Sequence, residues 1–80
     1  MDTDEIDRRF GARLAPLRAL RRLSQQKLAD RAGMPQSAIS KIEAGLRSVG
    51  LGEALILCDA LHVDLLDMVR DGELQIVTVA

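Results

Sequence analysis

Between Ser24 and Glu43 the chain reads SQQKLADRAGMPQSAISKIE, and the spacing within this stretch limits the fold more than any other feature. Ser24 offers a hydroxyl to the open N–H groups of a helix starting at the next residue. Leu28, Ala29 and Ala32 then fall on one inner face. Gly33 accepts a left-handed backbone and ends that helix. A second helix follows over residues 36–44, with Ile39 and Ile42 inward and Gly45 at its end. Helices joined by so tight a turn cross steeply, and the crossing accepts only a small side chain, here Ala29. Leu28, Met34, Ile39 and Ile42 anchor the pair. The other side of the second helix carries Gln36, Ser37, Ser40 and Lys41. A core has no use for them, but they suit base edges in a DNA major groove. The spacing is that of a helix-turn-helix.

The rest of the chain reads as further helices. Ile6, Phe10, Leu14, Leu17 and Leu20 recur at steps of three and four, one apolar stripe of a first helix. Pro16 lies inside it, removing a backbone donor and crowding the Ala12 carbonyl; we read it as a kink, the alternative being two shorter pieces. Leu51 to Leu61 form a fourth helix, with Leu51, Leu55, Cys58 and either Leu61 or Val63 inward. Asp64 opens a short fifth helix whose Leu65, Met68 and Val69 close the core, and Gly72 breaks it. The expected fold is therefore all-α, a compact five-helix domain over residues 8–71. An acidic lead-in covers residues 1–7, and a tail covers residues 72–80. The tail, ELQIVTVA, is β-branched and reads as a strand. One strand makes no sheet, so it pairs with a second copy, docks on its own domain or stays loose. Pairing between copies would make Leu74, Ile76, Val77 and Val79 dimerisation residues.

Eighty residues give a small core, burying roughly 60% of the unfolded surface, and association with a second copy would help it. Net charge is only −1, yet the distribution is uneven. Residues 8–47 carry ten basic side chains and two acids, a local +8, whereas residues 1–7 are −4 and residues 48–80 are −5. A basic block between acidic ends is the footprint of a polyanion-binding face. The acidic start has no apolar run behind it and does not read as a signal peptide. No apolar stretch approaches the roughly 20 residues of a membrane span. One cysteine excludes an internal disulfide and a paired-cysteine metal site, and suits a reducing, cytoplasmic setting. Cys58 reads as an inert buried thiol and His62 as a helix-end residue. No nucleophile, metal or cofactor constellation is visible, so an enzyme is not expected.

The stretch LSQQKLADRAGMPQSAISKIEAG resembles, without gaps, the central motif of the lambda-repressor/Cro-type helix-turn-helix proteins of the XRE family. RLAPLRALRR before it is similar to that family's first helix, and LGEALILCDALHVDLLDMV to its fourth and fifth; the resemblance covers roughly residues 9–69. It implies a five-helix DNA-binding domain. It implies that Gln36, Ser37, Ser40 and Lys41 read bases. It implies phosphate contacts from Gln25, Lys27, Arg47, Ser48 and Arg22, with Gln25 also steadying Gln36. Glu43 matches a glutamate that pairs with an arginine of the first helix, for which Arg18 fits. Ala29, Gly33, Ile39, Ile42, Arg18 and Glu43 are then the structural residues. The chain departs from the pattern at Pro16, at Pro35, where a capping Ser or Thr is common, and at Val49–Gly50, where Pro-Ser or Pro-Thr is frequent.

The implied function is a transcriptional regulator, a repressor, binding double-stranded DNA at an inverted repeat as a homodimer. Two alternatives share the fold. One is an antitoxin, whose acidic ends and tail would meet a toxin partner; the other is a controller protein of a restriction–modification system.

Overall fold

The computed structural model describes residues 2–72. Within them lie α1 (Thr3–Leu20), α2 (Gln25–Ala32), α3 (Gln36–Glu43), α4 (Leu51–Leu61) and α5 (Leu65–Val69). The domain is all-α, with no strand among the described residues. Leu74, Ile76, Val77 and Val79, the residues expected to pair two copies, lie outside them.

Helix α1 is longer than the sequence suggests. It begins inside the acidic lead-in, where Asp2 caps it by accepting the Asp4 N–H at 3.0 Å. Asp4 and Glu5 occupy its first turn, where acids complement the positive end of the helix dipole. It continues through Pro16 as one helix, so the two-piece alternative is excluded. Phe10, Leu14 and Leu17 are buried, but Leu20 is 51% exposed and Leu23 takes the inner place at 7%. The turn after α1 lets the chain bend back, with Arg22 in the left-handed region at φ 58°.

The core joins these α1 residues to Leu28, Ala29 and Ala32 of α2, Ile39 and Ile42 of α3, Ala54, Leu57, Cys58 and Leu61 of α4, and Met68 of α5. Helix α1 packs against α3 and α5, and α2 against α3 and α4. At the crossing of α1 and α3, Gly11 is buried. A Cβ there would land on the Ile42 carbonyl oxygen and 3.1 Å from its carbon. Only glycine lets the two backbones come so close.

On α4 the sequence reading needs correction. Leu51 and Leu55 were expected inward, but they are 69% and 50% exposed, while Ala54 and Leu57 are buried beside Cys58 and Leu61. The helix is apolar on nearly every side, so its sequence period does not select a face. Gly50 gives α4 no side-chain cap; instead the Glu53 carboxylate accepts the Gly50 N–H at 3.2 Å. His62 ends the helix in the left-handed region at φ 55°.

Two arginines of α1 tie down the end of α5. Arg9 donates to the Val69 carbonyl at 2.6 Å. Arg13 donates to the carbonyls of Asp67 at 3.0 Å and Arg70 at 2.8 Å, and to that of Gly72. The Asp67 and Val69 carbonyls belong to the last turn of α5, which a five-residue helix leaves without helical partners; those of Arg70 and Gly72 lie just beyond it. Burial, with Arg9 and Arg70 nearby, pushes the Arg13 guanidinium below its ordinary value.

Candidate nucleic-acid interface

Helices α2 and α3 meet through a turn whose geometry follows from single residues. The Ser24 hydroxyl accepts the Lys27 N–H at 3.1 Å and so caps α2. Gly33 takes φ 66°, and its N–H returns to the end of α2. The Met34 N–H closes the turn on the Ala29 carbonyl at 3.0 Å. Ala29 is fully buried between the helices. Pro35 precedes α3 and supplies no side-chain cap. Proline suits this site because its fixed φ matches the entry and the N–H it lacks would have no helical partner.

Helix α3 is divided along its length. Ala38, Ile39 and Ile42 are buried, and Gln36, Ser37, Ser40 and Lys41 form an exposed polar edge. A four-residue polar chain underlies that edge. Arg18 grips the Glu43 carboxylate with Nε to Oε2 at 2.8 Å and Nη2 to Oε1 at 3.1 Å. Its third donor, Nη1, reaches the Leu23 carbonyl at 2.9 Å. The carboxylate raises the Arg18 guanidinium above its ordinary value. Gln25 Nε2 donates to Glu43 Oε1 at 3.0 Å, and Gln36 Nε2 donates to Gln25 Oε1 at 2.7 Å. The resemblance accounts for the Arg18–Glu43 and Gln25–Gln36 pairs; the Gln25–Glu43 bond that joins them carries no signal in the sequence.

The basic block divides into two sets. Arg9, Arg13, Arg18, Arg21 and Arg47 bond within the domain. Arg21 caps α4 through the Leu61 carbonyl at 2.9 Å. Arg47 makes a two-pronged pair with Glu53, Nη1 to Oε1 at 3.0 Å and Nη2 to Oε2 at 2.7 Å. Each partner strengthens the other's charge: the pair raises the Arg47 guanidinium and holds the Glu53 carboxyl below its ordinary range. Glu53 thus fixes the loop after α3 and caps α4 at once. It was missed in the sequence, although its place three residues after Gly50 is the spacing of a capping-box glutamate. Arg8, Arg22, Lys27, Arg31 and Lys41 are exposed. They make no side-chain bond among the described residues. Ser48, in the same loop as Arg47, is also exposed.

The fold is shared with known proteins. The family model described as a helix-turn-helix domain matches residues 9–70. Among solved structures, the restriction–modification controller protein C.AhdI from Aeromonas hydrophila superposes with a TM-score of 0.74 at 35% identity. That match covers 78% of this chain and 94% of the controller protein. No curated protein matches. No helix among the described residues is long and apolar enough to cross a membrane. The matched span, the tight α2–α3 turn and the polar edge of α3 lead to one conclusion: the chain belongs to the helix-turn-helix domain family and is a DNA-binding regulator.

Proposed function

We propose that the protein is a sequence-specific repressor that binds an inverted-repeat operator as a homodimer, one α3 helix in each of two major grooves. The observation that carries this reading is the exposed edge Gln36, Ser37, Ser40 and Lys41 on a helix anchored by Ile39 and Ile42. Base edges need donors and acceptors at this spacing, on a helix stiff enough to hold register. Lys27, Arg22, Ser48 and Gln25 are then phosphate ligands. Arg47 joins them by exchanging Glu53 for a phosphate. Half-sites would lie about one helical turn, roughly 34 Å, apart.

A second copy would cover aliphatic surface that the single chain leaves in water: Leu51, Leu55 and Ile56 along α4 and Leu66 at the start of α5. Leu51 and Leu55 stand one turn apart on α4, and a contiguous exposed aliphatic patch is a mark of an association surface. The tail residues Leu74, Ile76, Val77 and Val79 remain the other candidate for the same role. Truncation after Asp71 separates the two: an unchanged dimer in sedimentation leaves the α4 surface as the contact.

The similarity to a restriction–modification controller protein favours a more specific role, control of restriction and modification genes. The antitoxin reading has no observation of its own. The test is a gel-shift titration against DNA from upstream of the chain's own gene, across a salt series. The expected result is a specific shift whose affinity falls steeply with salt, and which is lost in Gln36→Ala/Lys41→Ala. A shift equal on scrambled DNA would refute sequence-specific regulation.

A further inference from the structure

We propose that the negative charge of Glu43 fixes which way the Gln36 carboxamide faces, and thereby selects adenine over guanine at the position Gln36 reads. The inference rests on Gln36 being a base-reading residue; what is new is the control exerted by Glu43 through Gln25.

Donors and acceptors decide the orientation. A carboxamide has an acceptor at one end and a donor at the other, and packing alone rarely tells them apart. A carboxylate ion-paired to arginine only accepts. Glu43 therefore obliges Gln25 to turn its Nε2 inward, which it does at 3.0 Å. Gln25 is left showing Oε1 to its other neighbour. Gln36 must answer with Nε2, at 2.7 Å. Its Oε1 and second N–H remain for the solvent side. One acceptor beside one donor is the complement of adenine N6 and N7. The reversed chain would spend Gln36 Oε1 on Gln25 and turn both N–H groups outward, the complement of guanine O6 and N7.

The inner end of the chain is the fixed end. The Glu43 side chain is 8% exposed and its Arg18 partner 18%, and Arg18 is itself held by the Leu23 carbonyl. Gln36 is exposed. Order therefore passes outward from a charge that touches no base, and Glu43 is a positioning residue.

Two measurements on the full chain test this. In the free protein, the side-chain NH2 signals of Gln36 in nitrogen-correlated NMR spectra should move in Glu43→Gln, although residue 43 does not touch Gln36. Base preference is then profiled with duplexes varied at the position where Gln36→Ala loses selectivity. Glu43→Gln should reduce the adenine-over-guanine ratio there by roughly fivefold or more, leaving the ratios at other positions unchanged. Gln25→Met cuts the chain while keeping the Arg18–Glu43 pair, so it should show the same loss even where Glu43→Gln folds poorly. Adenine preference retained in both variants, or Gln36 signals unmoved by Glu43→Gln, would overturn the proposal. A wild-type chain without any base preference would instead overturn the DNA-reading function.

Discussion

Helices α3 and α4 bury similar inner faces and differ in what they leave outside. Helix α3 hides Ala38, Ile39 and Ile42 and shows glutamine, serine and lysine; α4 hides Ala54, Leu57, Cys58 and Leu61 and shows Leu51, Leu55 and Ile56. A polar outer edge fits a hydrated, hydrogen-bonding partner such as a DNA groove. An apolar one fits a partner that excludes water. On the function proposed above, the two helices divide recognition from association within a chain of 80 residues.

The largest effect expected tests the inner face that both outer edges depend on. Gly11→Ala forces α1 away from the Ile42 carbonyl, and should cost about 3 kcal/mol in urea unfolding, or abolish folding. A neutral result would mean that the α1–α3 contact does not hold α3 in place. Next, Gln36→Ala/Lys41→Ala should weaken specific DNA binding by about 2 kcal/mol or more. Its thermal midpoint should not move, since both residues are exposed. A loss of stability as large as the loss of binding would erase the distinction between edge and core.

On α4 the change expected from the proposed dimer contact is in association. Leu51→Lys/Leu55→Lys should lower self-association in sedimentation and leave the stability of the single chain within about 0.5 kcal/mol. A cost of 2 kcal/mol or more would return both leucines to the interior. At the end of the same helix, His62→Gly should raise stability by about 1 kcal/mol, because glycine relieves the left-handed backbone at φ 55°. The smallest effect is electrostatic. Glu53 is held below its ordinary range, chiefly by the Arg47 hydrogen bonds. Its contribution is therefore complete above the pH where an unfolded glutamate ionises and is lost as pH falls through its lower folded value. Glu53→Gln should flatten the acid side of the stability curve; an unchanged curve would mean that the loop clasp contributes nothing.

Cys58 supplies a check on the core of α4. Burial pushes its thiol up to about 11, so it should resist thiol reagents at neutral pH until the chain is unfolded.

The contrast between the two helices also explains what the sequence could convey. On α2 and α3, polar and apolar residues alternate cleanly, and Ser24, Ala29 and Gly33 each have one mechanical use, so the element limits and the buried face were legible. On α4 nearly every side is apolar, so in the sequence Leu51 and Leu55 have as strong a claim to the interior as Ala54 and Leu57; only tertiary packing decides between them. Gly11, a glycine inside a helical stripe, is a sequence signal of a packing constraint, but it does not name the helix that comes close. The basic block was legible as charge but not as use. Local sequence cannot tell an arginine that caps a distant helix, as Arg13 and Arg21 do, from one that faces solvent. The bond from Gln25 to Glu43 spans 18 positions and depends on how α2 and α3 cross, so no local pattern announces it.

The central claim is that the polar edge of α3 meets DNA while the apolar edge of α4 does not. The most direct test is an NMR titration of the isotope-labelled chain with an operator duplex, following backbone and side-chain amides together. The account predicts that the largest shifts fall on residues 36–41, with Gln25 and Lys27 beside them, and that residues 51–56 stay near their free positions. Shifts centred on α4, with Gln36 to Lys41 unmoved, would contradict it.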